Sequence, residues 1–130
     1  MLSDKNADAT IAVSDIGAAK KFYEGVLGLT PAGPTGPEVL LYKTGSTRLM
    51  VYRSEYAGTN RATAATWSAG KEVDAIVAGL AARGVVFEKY DMPGSAWEAG
   101  VHVMGHMRAA WFKDPDGNIL SIVGAPEGSA

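Results

Sequence analysis

The apolar residues of this chain change period twice, from two to about 3.6 and back again. Ala9 to Val13 (ATIAV) alternates, with Ile11 and Val13 on one face, and predicts a short strand. Ile16, Ala19, Phe22, Tyr23, Val26 and Leu27 then recur at helical spacing. Ser14 or Asp15 is placed to cap this helix and Gly28 to end it. After a rigid loop from Gly33 to Pro37 (GPTGP), Glu38 to Lys43 and Arg48 to Arg53 predict two strands around the turn Thr44-Gly45-Ser46-Thr47. The order then recurs. Ala64 to Ser68 predicts a strand, and Val73, Ile76, Val77, Leu80 and Ala81 form the stripe of a helix that Gly84 ends. Val85 to Tyr90, Met107 to Phe112 and Ile119 to Val123 predict three more strands.

Each half therefore reads as strand, helix, then three strands, the first with its third strand pair tightened. The halves correspond in element order, and in a capping acid and a terminal glycine: Asp15 and Gly28 against Asp74 and Gly84. Few residues match between them, so the repeat is one of structure. Module one spans about residues 7–54 and module two about 62–125, joined by Ser54 to Arg61 (SEYAGTNR), in a single domain over 1–130. The closing stretch AAWFKDPDGNILSIV, Ala109 to Val123, is a hairpin with turn chemistry at every position. Pro115 presets φ, Asp116 bonds neighbouring backbone, and Gly117 takes φ > 0 without strain.

Composition narrows the chemistry. A chain of 130 residues with 47% hydrophobic and 20% charged residues is long enough for one real core. A net charge of -2 gives no reason to expect nucleic acid or an anionic membrane as partner. The absence of cysteine removes disulfides, thiolate metal sites and cysteine nucleophiles. No apolar run reaches transmembrane length and the first ten residues carry no signal-like core, so a soluble cytoplasmic protein is expected. Dinucleotide, P-loop and nucleophile-elbow glycine motifs are missing.

Three stretches in order resemble one known group. IAVSDIGAAKKFYEGVLGL is similar to the opening signature of the vicinal oxygen chelate superfamily, which includes glyoxalases, bleomycin and fosfomycin resistance proteins and extradiol dioxygenases. VDAIVAGLAARGVVF is similar to its second helix and strand, and the DPDGN hairpin to its closing element. The resemblance implies an α+β fold: two βαβββ modules in a curled mixed β-sheet, helices on the outer face and a cavity on the concave one. It also implies pairing of two copies into a homodimer.

In metal-using members, His and Glu side chains from four strands hold the ion, leaving positions open for substrate or O2. The matching positions here hold Asp8, then Tyr52 or Arg53, then a residue near Ala64, then Ser121. One carboxylate among four does not hold a catalytic divalent ion, so no metal and no other cofactor is expected. His102 and His106 form an H-x-x-x-H pair in a glycine-flanked loop or strand, where residues four apart stand about 13 Å from each other, too far to share an ion. They are expected at a loop edge or cavity rim.

What remains is a binding cavity. Alternation places Leu49 and Val51 under the helices and Arg48, Met50 and Tyr52 on the concave side. It likewise assigns Ile119, Ser121 and Val123 to the cavity and Leu120 and Ile122 to the core. The segment Tyr90 to Met107, read as a long loop, is placed to fold over the cavity mouth. Trp67 and Trp111 read as core and Trp97 as facing a ligand or a second subunit. The expected ligand-binding set is Met50, Tyr52, Arg53, Trp97, His102, His106 and Ser121. The expected function is metal-independent binding of a small drug-like or metabolite molecule between aromatic and methionine surfaces. The alternative is a small glyoxalase-like lyase or dioxygenase-like oxidoreductase with an altered metal site or metal-free acid/base chemistry, with His102, His106, Glu98 or Asp91 carrying protons.

Overall fold

A computed structural model describes residues 1–33 and 36–125. Pro34 and Thr35 of the predicted GPTGP loop, and the last five residues of the expected domain, lie outside the described residues. Strand β1 (Ala9–Val13) is followed by helix α1 (Ile16–Lys20), then β2 (Thr30–Pro31), β3 (Val39–Thr44) and β4 (Thr47–Arg53). β1 lies parallel to β4, which pairs antiparallel with β3, and β3 with β2, giving a sheet of order β1-β4-β3-β2. The second half runs β5 (Thr63–Gly70), α2 (Val73–Ala82), β6 (Phe87–Glu88), β7 (Ala96–Glu98), β8 (Val101–Met104), β9 (Met107–Lys113) and β10 (Ile119–Gly124). Its sheet has the order β5-β10-β9-β8-β7, with β6 also on β9, and β5 parallel to β10. These are two mixed sheets of an α+β fold, each with a helix in the connection that follows its first strand, and they do not close into a barrel. Among the described residues no helix is long and apolar enough to cross a membrane.

Alternation sets the core. Ile11, Val13, Leu49, Val51, Leu40 and Tyr42 from the first sheet join Ala110, Phe112, Leu120 and Ile122 from the second, with Val73, Val77 and Leu80 of α2, in one buried cluster. Leu49 and Val51 therefore face the core while Arg48 and Tyr52 stay exposed and Met50 half-buried, as their alternation predicts.

Three elements differ from the sequence reading. The first helix is α-helical only to Lys20 and continues as a π-helical turn over Lys21–Val26, in which the amide of Leu27 reaches back to the carbonyl of Phe22. Asp15 caps it, its Oδ1 accepting from the amide of Ala18 at 3.1 Å. Asp74 is not the equivalent cap: it sits inside the first turn of α2, after Glu72, and its carboxylate meets Arg108 at 3.3 Å. The largest difference is in the second half. The strand predicted over Val85 to Tyr90 shrinks to Phe87–Glu88, and the supposed long loop contains a hairpin, β7 and β8, that extends the sheet.

The closing turn joins the two halves. The buried Asp114 carboxylate accepts from the Tyr23 hydroxyl (2.8 Å), from the amides of Asp116 (3.0 Å) and Asn118 (2.9 Å), and from the Asn118 side chain (2.8 Å). Asn118 Nδ2 also donates to the carbonyl of Ala12 in β1 at 2.7 Å. Asp116 accepts from the amide of Ser14 at 3.0 Å and from its hydroxyl. The connector is pressed on the same spot: Gly58 has φ +73, and a Cβ there would overlap the carbonyl oxygen of Asp116. Burial, and then the charge of Asp114, push the Tyr23 phenol well above its usual range. Tyr42, buried and donating to Glu24 at 2.8 Å, is raised for the same kinds of reason.

Candidate functional site

The face of each sheet turned away from the core carries most of the candidate residues. On β9 and β10, Trp111 lies opposite Ser121 and Ala109 opposite Val123, so these four share that face. Pairing continues it across β8 and β7: His102 lies opposite Ala109, and Trp97 opposite His102. The side chains meet. Trp97 and Trp111 set their rings edge-on to the imidazole of His102, with centroids at 4.9 Å and 5.2 Å. Tyr90 stacks on the same ring at 6.0 Å and touches Trp111 at 5.5 Å. The resulting aromatic box borders a cavity of about 350 Å3 whose walls include Lys89, Tyr90, Asp91, Met92, Trp97 and His102. The Lys89 ammonium lies 5.9 Å from the Trp97 ring centre, within cation–π range.

His102 is the least expected member. It is 1% exposed and lines the cavity from within a strand rather than from a loop edge. Its Nε2 accepts from the amide of Tyr90 at 2.9 Å, and the Tyr90 carbonyl stands 3.2 Å from the same nitrogen. Nδ1 is buried without a hydrogen-bond partner.

The other expected site residues are dispersed. Ser121 is buried on the box's face, its hydroxyl 2.8 Å from that of Thr66. Met50 and Tyr52 occupy the corresponding face of the first sheet. Arg53 falls on the opposite alternation and is held by Glu38 at 2.8 Å, in the open. His106 is exposed at the β8–β9 turn, and Glu98 and Asp91 are exposed. The sequence reading missed Tyr90, and it assigned Trp111 to the core. Counting outward from the DPDGN turn pairs Trp111 with Ser121, which was the available signal.

Of the residues at the positions where the resemblance implies metal ligands, two are engaged by neighbouring side chains. Asp8 is engaged by Arg48 at 2.9 Å, Ser121 by Thr66, and Tyr52 and Ala64 offer no ligand suited to a divalent ion. Among the described residues no group of three or more His, Asp or Glu side chains is placed to hold a metal.

The model of the glyoxalase/bleomycin resistance protein/dioxygenase superfamily matches residues 7–122. The chain belongs to that superfamily. Among solved structures it is similar to a glyoxalase/bleomycin resistance protein from Catenulispora acidiphila, with 26% identity, TM-score 0.69, and 93% of this chain and 98% of that one covered. The fosfomycin resistance protein FosX of Listeria monocytogenes shares the fold at 14% identity and TM-score 0.70, covering 95% and 93%. A lactoylglutathione lyase from Agrobacterium tumefaciens does so at 18% identity and TM-score 0.67, covering 93% of both chains. No curated protein in the sequence comparison matches it.

Proposed function

We propose that this superfamily member binds a small planar aromatic molecule, a drug or a metabolite, without a metal ion or other cofactor. The observation that supports this is the aromatic box, in which Tyr90, Trp97 and His102 line a cavity of about 350 Å3 and Trp111 packs against Tyr90 and His102. Its size falls within the range of roughly 300–1,000 Å3 usual for small-molecule sites. Aromatic walls favour flat ligands through offset and edge-to-face contacts that exceed plain area burial. The enzyme alternative has less to draw on, because of its further proton carriers Asp91 lines this cavity while His106 and Glu98 do not. The binding reading includes a homodimer in the cytoplasm.

Titration with planar aromatics, followed by tryptophan fluorescence, tests it. Trp97 and Trp111 stand in the box and Trp67 on another face, so saturable quenching is expected, unchanged by a chelator. Quenching that is absent, or that a chelator abolishes, overturns the reading.

A further inference from the structure

We infer that the protein carries a second ligand site, where the first helix meets the connection from α2 to β6, and that it takes a small amphipathic carboxylate: one anionic head on an aliphatic body. The site shares no lining residue with the cavity of the aromatic box and does not depend on the binding reading above.

A cavity of about 360 Å3 lies at this junction. Its apolar wall is Phe22 and Val26 of the π-helical turn with Val85 and Val86 of the connection. Phe22, Val26 and Val85 are half-buried and Val86 is 74% exposed, so each offers surface to an entering molecule. Covering that surface favours association roughly in proportion to its area.

The charges lining the same cavity do not balance. Lys113 is matched by Glu88 at 3.1 Å. Arg83 is exposed and lines the cavity, and its Nη1 donates to the carbonyl of Val26 at 2.7 Å. Among the described residues no carboxylate stands within ion-pair distance of it. The bond to Val26 satisfies a carbonyl at the end of the first helix, and it leaves the guanidinium with further N–H groups to donate. A helix C-terminus carries about half a negative charge, less than the full charge of Arg83, so the cavity keeps an excess of positive charge. A monoanion offsets that excess; a dianion exceeds it. Guanidinium favours a carboxylate in particular, whose two oxygens match its paired donors. Apolar wall and cation border one cavity of small-molecule size, which suits a free molecule better than an extended partner.

An NMR titration of the ¹⁵N-labelled full chain with octanoate tests this. Saturable shifts are expected at the amides of Gly84, Val85 and Val86, in the range of about 1 mM, and not at Trp97 or His102. 1-Octanol, which has the same body without the charge, is expected to bind about fivefold more weakly, the weight of one accessible ion pair. Arg83→Gln is expected to bring octanoate down to the octanol value. Since that change also touches the Val26 carbonyl, Val86→Glu serves as a second variant, at an exposed position. It sets a negative charge on the cavity wall and is expected to weaken octanoate at least about fivefold with the remaining amide spectrum unchanged. Shifts at the aromatic box instead, equal affinity for octanol, or octanoate binding indifferent to Val86→Glu overturns the proposal. Binding to phosphatidylglycerol vesicles without saturable octanoate binding assigns the patch to a lipid surface and overturns it as well.

Discussion

Two buried polar clusters lie on this fold, and they are built on opposite terms. Around Asp114, both carboxylate oxygens are occupied and donors converge from the side chain of Tyr23, from Asn118 and from two backbone amides. Around His102, one ring nitrogen is held and the other has no partner. A filled network fixes backbone; one left a bond short carries the cost of a buried unpaired group. Burial alone therefore does not say how well a polar group is held. The completeness of its bonding does.

The largest way to break this contrast is Asp114→Ala. It strands the Tyr23 hydroxyl, the Asn118 amide group and two backbone N–H donors, and is expected to lower stability by about 3 kcal/mol or more in urea unfolding. Gly58→Ala attacks the same cluster from the connector. An alanine at φ +73 whose Cβ meets the Asp116 carbonyl is expected to be destabilising by about 2 kcal/mol, read as a lower urea midpoint with unchanged slope. His102→Phe is the counterpart on the incomplete side. It removes the orphan donor but leaves the Tyr90 amide unpaired, and the two changes are expected to balance to within about 1 kcal/mol, in clear distinction from Asp114→Ala.

The pH axis sharpens the contrast further. Tyr23 keeps its proton in the folded state far above the value it has when unfolded, so above about pH 10 the folded protein binds more protons than the unfolded chain. Its contribution is whole below that pH and is lost as pH rises through the elevated folded value. The urea midpoint is expected to fall steadily above about pH 10, and Tyr23→Phe to flatten that fall. The smallest effect lies at Ala99, a non-glycine residue with φ +50 in the turn joining Trp97's strand to His102's. Ala99→Gly relieves it and is expected to stabilise by up to about 1 kcal/mol in thermal unfolding.

The strong periods were legible from the sequence, and the weak ones were not. β1, β4, α2 and the DPDGN hairpin lie where their alternation or helical stripe places them, because each buries one continuous apolar face. β7 and β8 are three and four residues long, separated by a two-residue turn, and β8 turns only Val101 and Val103 toward the core, with the buried His102 on its other face. Apolar alternation has no purchase on so short a polar-centred pair, so the segment read as loop. The π-turn was equally silent, since one extra residue per turn leaves Ala19, Phe22, Tyr23 and Val26 close to a helical stripe. At the site, Trp97 and His102 stood out by residue type. Their contact with Trp111 and Tyr90 is a matter of strand register and of a tertiary approach, which no local pattern encodes.

The bond from Asn118 to Ala12 joins residues 106 apart in the chain, and that from Asp116 to Ser14 residues 102 apart. It also gives the molecule an order of events. During synthesis β1 and the first helix emerge 102 to 106 residues ahead of the partners that fasten their junction. Closing a loop of that length is slow compared with forming a local hairpin, and its rewards arrive only when it is complete. The junction of β1 and the first helix is thus without these bonds until the closing turn has been made, and a chain stopped short of that turn lacks what fastens its earlier strand.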